Sequence, residues 1–78
     1  MKYNILFFGA LGETSQGKQF TWESQVNQLH DLKDELTQKF PQLAGLTAAI
    51  AVNNQITPNN IILNDGDEIA FMPAFSGG

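Results

Sequence analysis

Cysteine and arginine are both absent from this chain of 78 residues, and histidine occurs once. The missing cysteine removes thiol nucleophiles, zinc–thiolate sites and a secreted disulfide framework together, and it fits a reducing compartment. With His30 as the single imidazole, a metal centre has almost no ligands to draw on. Eight acidic residues stand against four lysines, for a net charge of −4. The basic footprint that nucleic acid demands is missing, so nucleic acid is not an expected partner. An acidic surface instead suits basic patches on other proteins. No stretch approaches the ~20 apolar residues of a membrane span. Lys2 followed by Ile5-Leu6-Phe7-Phe8-Gly9-Ala10-Leu11 imitates a short secretory signal. Removing it would take the best strand from a chain near the lower size limit for independent folding. A soluble, cytoplasmic protein is the expectation.

What is present is a pattern of short strands around one amphipathic helix. Lys2 to Phe8 reads as a strand with Tyr3, Ile5 and Phe7 on one face and Leu6 and Phe8 on the other, which suggests a central position. Gly9 to Gly17 marks a turn, and Lys18 to Trp22 a second strand with Phe20 and Trp22 facing inward, the two forming a hairpin. Ser24 offers an N-cap oxygen, and Val26, Leu29, Leu32, Leu36 and Phe40 follow at spacings of three or four. Gln25, Asp31, Asp34, Glu35 and Gln38 take the water-facing side, and Pro41 ends the helix. A second helix is not evident. Thr47 to Val52 is a third strand, Asn53-Asn54 a tight turn tolerant of positive φ, and Gln55-Ile56-Thr57 a short return. Asn64-Asp65-Gly66-Asp67 turns the chain into the last strand, Glu68 to Met72. This ββαββ order predicts an α+β domain over residues 1–72, a mixed sheet with one main helix on one face, the β-grasp (ubiquitin-like) arrangement. Residues 73–78 form a C-terminal tail too short to fold alone.

The tail carries the most specific signal. At about 7% average usage, two glycines close a chain by chance with a probability of about 0.5%, so Gly77-Gly78 asks for a reason. A terminal glycine presents an unhindered carboxylate on the thinnest backbone, able to thread a narrow channel. A carboxylate is a poor acyl donor, so another enzyme would have to activate it by ATP-dependent adenylation. Phe75 has two possible destinations, a partner's pocket or its own sheet. Burying about 150–250 Å² of aromatic surface is worth roughly 1.5–3 kcal/mol in either. Gly12-Glu13-Thr14-Ser15-Gln16-Gly17-Lys18-Gln19 meets the phosphate-loop spacing up to the lysine, then fails: Gln19 replaces the Mg-binding hydroxyl and a strand, not a helix, follows. Asp65, Asp67 and Glu68 lack the further ligands of a calcium loop and read as a turn.

The run Leu63-Asn64-Asp65-Gly66-Asp67-Glu68-Ile69-Ala70-Phe71-Met72-Pro73-Ala74-Phe75-Ser76-Gly77-Gly78 resembles the C-terminus of MoaD-type small subunits of molybdopterin synthase. Ile5-Leu6-Phe7-Phe8-Gly9-Ala10-Leu11-Gly12-Glu13 and Ala51-Val52-Asn53-Asn54-Gln55 are similar to the same family. The resemblance implies a sulfur carrier in molybdenum cofactor biosynthesis that is not catalytic alone. Gly78 would be adenylated by a ubiquitin-activating-like enzyme using ATP and converted to a thiocarboxylate. With no cofactor bound by the chain itself, the tail would then enter the synthase large subunit, in a heterotetramer, and donate sulfur to the cyclic pterin precursor. Gly77 and Gly78 are then the reactive end, and Pro73, Ala74, Phe75 and Ser76 the inserted segment. Phe7 and Phe71, taken as exposed apolar positions, help dock the large subunit. Ala74 stands where the family usually has a second proline, and Phe75 where a small or β-branched residue is common, giving a bulkier and less stiff tail. Two other functions share the Gly-Gly end: sulfur carriage for thiamine or tRNA thiolation, and ubiquitin-like modification of lysines on other proteins.

Overall fold

The computed structural model describes residues 1–13 and 17–74. Five strands form one sheet: β1 (Lys2–Phe7), β2 (Gln19–Glu23), β3 (Thr47–Val52), β4 (Gln55–Ile56) and β5 (Glu68–Pro73), in the order β2-β1-β5-β3-β4. β1 pairs antiparallel with β2, as the hairpin reading expected, and parallel with β5. β5 pairs antiparallel with β3 on its other side. The sheet is therefore mixed, and its central strand is β5; β1 is an interior strand one place away. The helix α1 (Leu29–Lys39) runs between β2 and β3 in the chain.

The core follows from the strand period of two meeting the helical stripe. Tyr3, Ile5 and Phe7 of β1, Ile50 and Val52 of β3, and Ile69 and Phe71 of β5 bury against Leu29, Leu32 and Leu36. Phe7 stands at the hub of an aromatic cluster, edge-on to Phe20, Phe40 and Phe71 at ring separations of 5.3, 5.3 and 5.5 Å. Trp22 rides on the rim, where its indole N–H donates to Glu35 Oε1 at 2.7 Å. Glu35 was assigned to the water-facing side of the helix; it is half-buried because this bond draws it onto the sheet.

Two local expectations are corrected. The helix starts at Leu29 rather than just after Ser24, and its cap residue, Gln28, makes no side-chain capping bond. Asn60 caps it from a distance, its Oδ1 accepting the His30 N–H at 2.9 Å while its Nδ2 donates to Gln28 Oε1 at 3.0 Å. The Ser24 hydroxyl oxygen instead accepts the Val26 N–H at 3.1 Å in a local turn. The stretch from Ser24 to Gln28 is diverted by pairing with the chain before β5: Leu63 N–H donates to Asn27 O at 2.7 Å, and Gln28 bridges Ile62. Long-range backbone bonds here override a local capping signal. A second helix, α2 (Leu43–Leu46), is present although the sequence offers only four residues for it. Between Phe8 and β2, where the sequence reads as a turn, the chain forms a 3-10 turn over Gly9–Gly12.

The two tight turns behave as their residues require. Asn53 and Asn54 adopt φ of 51° and 70° between β3 and β4, and Gly66 takes φ of 88° before β5. The second turn is laced to the sheet: Gly66 N–H donates to Lys2 O at 2.7 Å, Lys2 N–H to Asp65 Oδ1 at 2.6 Å, and Asn53 Nδ2 to Asp67 Oδ1 at 3.0 Å. Asp65 and Asp67 thus hold β1, β3 and β5 in register. No group of three or more metal-ligating side chains occurs among the described residues.

Candidate functional site

The site is built around the place where the chain leaves the sheet. Pro73 is the last residue of β5, opposite Thr47 of β3. Having no N–H, it can close a ladder without leaving a donor unpaired. Its ring packs over Gly9, whose φ is +57°; a Cβ at that position would lie 3.0 Å from Pro73 Cγ. Gly9 therefore meets two demands at once, a left-handed backbone and a close approach. Ala74 follows, exposed, with its N–H donating to Leu46 O at 3.3 Å at the end of α2. Pro73 and Ala74 are thus held from one side by the turn after β1 and from the other by α2. Phe75, Ser76, Gly77 and Gly78 lie outside the described residues.

Phe7 and Phe71 are not docking positions. They are Cα partners across the parallel β1–β5 pair, and at 1% and 0% exposure both are core. The correction is one residue in register. Because side chains alternate, burying Phe7 and Phe71 under α1 sends their neighbours Phe8 and Met72 to the opposite side of the sheet. Phe8 is 47% exposed and Met72 half-buried.

With Ala10, Leu46, Ile56 and Ala74, these two residues line an open groove of about 980 Å³ at the root of the tail. Leu46 and Ile56 are exposed by 44% and 62%. Every residue lining the groove is apolar. An exposed apolar concavity of this kind marks an interaction surface more readily than a reaction centre. It offers no acid, base or nucleophile, so any chemistry at the tail must be supplied from outside these residues. Phe8, Leu46, Ile56 and Met72 were not singled out from the sequence. The alternation starting at Tyr3 contained the signal for Phe8, whereas Leu46 and Ile56 reach the groove only through tertiary placement.

The remaining motifs have structural roles. Lys18 precedes β2 directly and its carbonyl accepts the Phe7 N–H at 2.7 Å, so no helix follows the phosphate-loop-like run, whose residues 14–16 lie outside the described part. His30 is exposed in the first turn of α1. No described helix is long and apolar enough to cross a membrane.

Known proteins share this architecture, some with about a third of their residues identical. Over its whole length the chain is 35% identical to the molybdopterin synthase sulfur carrier subunit of Mycobacterium tuberculosis, covering 99% of that protein. Among solved structures it is similar to a chain in the complex of subunits 1 and 2 of molybdopterin-converting factor from Helicobacter pylori, with a TM-score of 0.75, 32% identity and full coverage of both chains. SAMP1 from Haloferax volcanii superposes over 100% of both chains with a TM-score of 0.80 at 19% identity, a likeness of fold. Residues 5–78, which take in the second half of β1, the tail root and the terminal glycines, match the ThiS family, and the chain belongs to it.

Proposed function

We propose that the chain is the sulfur-carrying small subunit of a molybdopterin synthase, acting in the cytoplasm. The observation that carries this reading is the tail root, where Pro73 and Ala74 leave the central strand beside a groove lined only by apolar side chains. The names of the Mycobacterium tuberculosis and Helicobacter pylori relatives support it.

In this reading Gly78 carries the cargo. A ubiquitin-activating-like enzyme binds the domain and ATP, and a Gly78 carboxylate oxygen attacks the α-phosphorus, releasing pyrophosphate. A sulfide-level nucleophile (hydrosulfide) then attacks the carbonyl carbon, forms the C–S bond as the C–O bond to AMP breaks, and leaves a thiocarboxylate. The chain itself binds no cofactor, and the ATP belongs to the activating enzyme. The large subunit next covers the groove formed by Phe8, Leu46, Ile56 and Met72 and receives residues 73–78, with Phe75 the one bulky side chain to be accommodated. There the thiocarboxylate sulfur attacks a side-chain carbon of the cyclic pterin precursor, forming a C–S bond as a C–O bond breaks and the oxygen departs. The carrier is then joined to the pterin as a thioester, which water cleaves to leave the sulfur behind. Hydrolysis returns the carboxylate. Each dithiolene needs two sulfur atoms, so two loaded carriers are consumed per product, in keeping with a heterotetramer of two small and two large subunits.

The test is to incubate the thiocarboxylated chain with its large subunit and the pterin precursor. Dithiolene product is the expected outcome; none, under conditions in which a known pair forms it, refutes the assignment. The family match favours one alternative, sulfur carriage for thiamine or tRNA thiolation. Sulfur delivered to those acceptors and not to the pterin would establish it. Adducts on lysines of other proteins, seen by intact mass, would identify a ubiquitin-like modifier.

A further inference from the structure

Gly9 carries a constraint that its backbone angle does not explain. Its φ of +57° lies in a region that asparagine also adopts, as Asn53 and Asn54 do in this chain. A left-handed turn alone would not require glycine here. The second demand is space: a Cβ at residue 9 would lie 3.0 Å from Cγ and 3.8 Å from Cδ of Pro73. At Gly66 the φ is +88° but a Cβ would meet nothing within 4 Å, and at Gly12 a Cβ would crowd Lys18 without a positive φ. Among the described residues only Gly9 combines the two, and its contact falls on the residue that begins the tail.

Neither side of this contact is free to retreat. The Phe8 N–H donates to Phe71 O at 3.0 Å and the Leu11 N–H to Phe8 O at 3.1 Å, tying the turn around Gly9 to β5 two residues before Pro73. On its other side Pro73 pairs with Thr47, and the N–H of Ala74 donates to Leu46 O at 3.3 Å. Carbon atoms settle about 3.5–4.0 Å apart, so a methyl group on residue 9 would move the proline ring by roughly half an ångström or more, and the tail root with it.

On the function proposed above, such a displacement counts directly against the reaction. Five residues follow Pro73. Fully extended they span at most about 17 Å, and the carbonyl carbon of Gly78 has to meet the pterin within that reach. We propose that Gly9 is a positioning residue for sulfur transfer: its missing side chain seats the Pro73 ring and so fixes the point from which the reach is measured. Gly9 touches no reacting atom and acts through Pro73.

The experiment is a double-mutant cycle of Gly9→Ala and Pro73→Ala in the full thiocarboxylated chain. Sulfur transfer is followed in a single turnover with the large subunit saturating, so that any weakening of docking drops out, and the urea midpoint of each variant is measured in parallel. Pro73→Ala removes both Cγ and Cδ, whereas the backbone cost of a left-handed alanine is present in either background and cancels. With Pro73 in place, Gly9→Ala should slow transfer about tenfold, since a misplacement of about 1 Å can cost about 100-fold. In the Pro73→Ala background the same substitution should slow it no more than about twofold. Gly9→Asn tolerates the positive φ and adds the same Cβ, so it should repeat the pattern if Gly9→Ala fails to fold. Gly12→Ala crowds Lys18 from the same turn, away from Pro73, and should lower the urea midpoint without slowing transfer at saturation. Equal slowing by the residue 9 substitutions in both backgrounds, equal slowing by Gly12→Ala, or a lower midpoint with transfer unchanged makes Gly9 a turn residue only. Each of these overturns the proposal and leaves the proposed function standing. If the unsubstituted chain forms no dithiolene with its large subunit, the functional assignment fails and the role of Gly9 falls with it.

Discussion

At the scale of single residues, Phe71 and Ile56 show how differently two apolar side chains in one sheet can behave. Phe71 is wholly buried against Phe7. At about 0.05–0.15 kcal/mol per residue a domain of this size holds roughly 4–12 kcal/mol of stability. Phe71→Ala should cost about 3–5 kcal/mol of it. Urea unfolding should find that variant marginal or unfolded. Ile56 is 62% exposed on the groove. Ile56→Asp should shift stability by no more than about 0.5 kcal/mol yet weaken large-subunit binding at least about tenfold, measured by calorimetry. Tyr3 adds a pH signature. Its hydroxyl donates to the Val26 carbonyl at 2.6 Å, and its pKa is raised, first by burial and then by the negative charges of Asp67, Asp65 and Glu35. A raised value means that the fold prefers the neutral phenol. That stability is fully present below about pH 10, the unfolded value, and is lost as pH climbs through the higher folded value. As this is the only tyrosine, tyrosinate absorbance reports on it alone. Its midpoint should lie above that of the urea-unfolded chain, and Tyr3→Phe should abolish the absorbance change and lessen the alkaline loss of stability.

At the scale of elements, the start of α1 depends on a residue thirty positions away. Asn60→Ala removes the acceptor for the His30 N–H and should cost about 1 kcal/mol, with faster amide exchange confined to the first turn of α1. Ser24→Ala should leave that exchange unchanged, because the Ser24 hydroxyl caps no helix. This contrast marks what the sequence could disclose. Strands and turns were legible because alternation and the Asn-Asn and Asp-Gly pairs are local codes: β3 spans the expected residues, β1 and β5 differ from expectation by a residue at one end, and β2 is displaced by one residue. The beginning of α1 was not legible, since Ser24 competes for it locally and loses to backbone pairing with residues 61–63. α2 was not legible either, because four residues give no helical period to read. The candidate site was divided in the same way. The proposed reactive end, Gly77-Gly78, and the end of the last strand at Pro73 were read from the sequence, but the groove needs Phe8, Leu46 and Ile56 from three separate segments, a convergence that no local pattern encodes.

At the scale of the whole molecule, cargo and fold are separable. Glycine has no side chain to bury, so deleting Gly78 should leave the denaturant midpoint unchanged while abolishing adenylation and sulfur transfer; transfer by the shortened chain would refute the terminal-glycine mechanism. The attachment point has a mechanical consequence as well. The tail continues from β5, a six-residue strand bonded to β1 on one side and to β3 on the other. The ladder bonds lie across the strand, so a pull on the tail along it loads both rows in shear, many bonds sharing the force, instead of peeling them singly from an edge. A partner that grips the last residues and draws them into a narrow channel is pulling on the best-anchored element of the domain, and tension at the carbonyl reaches the sheet without unravelling it.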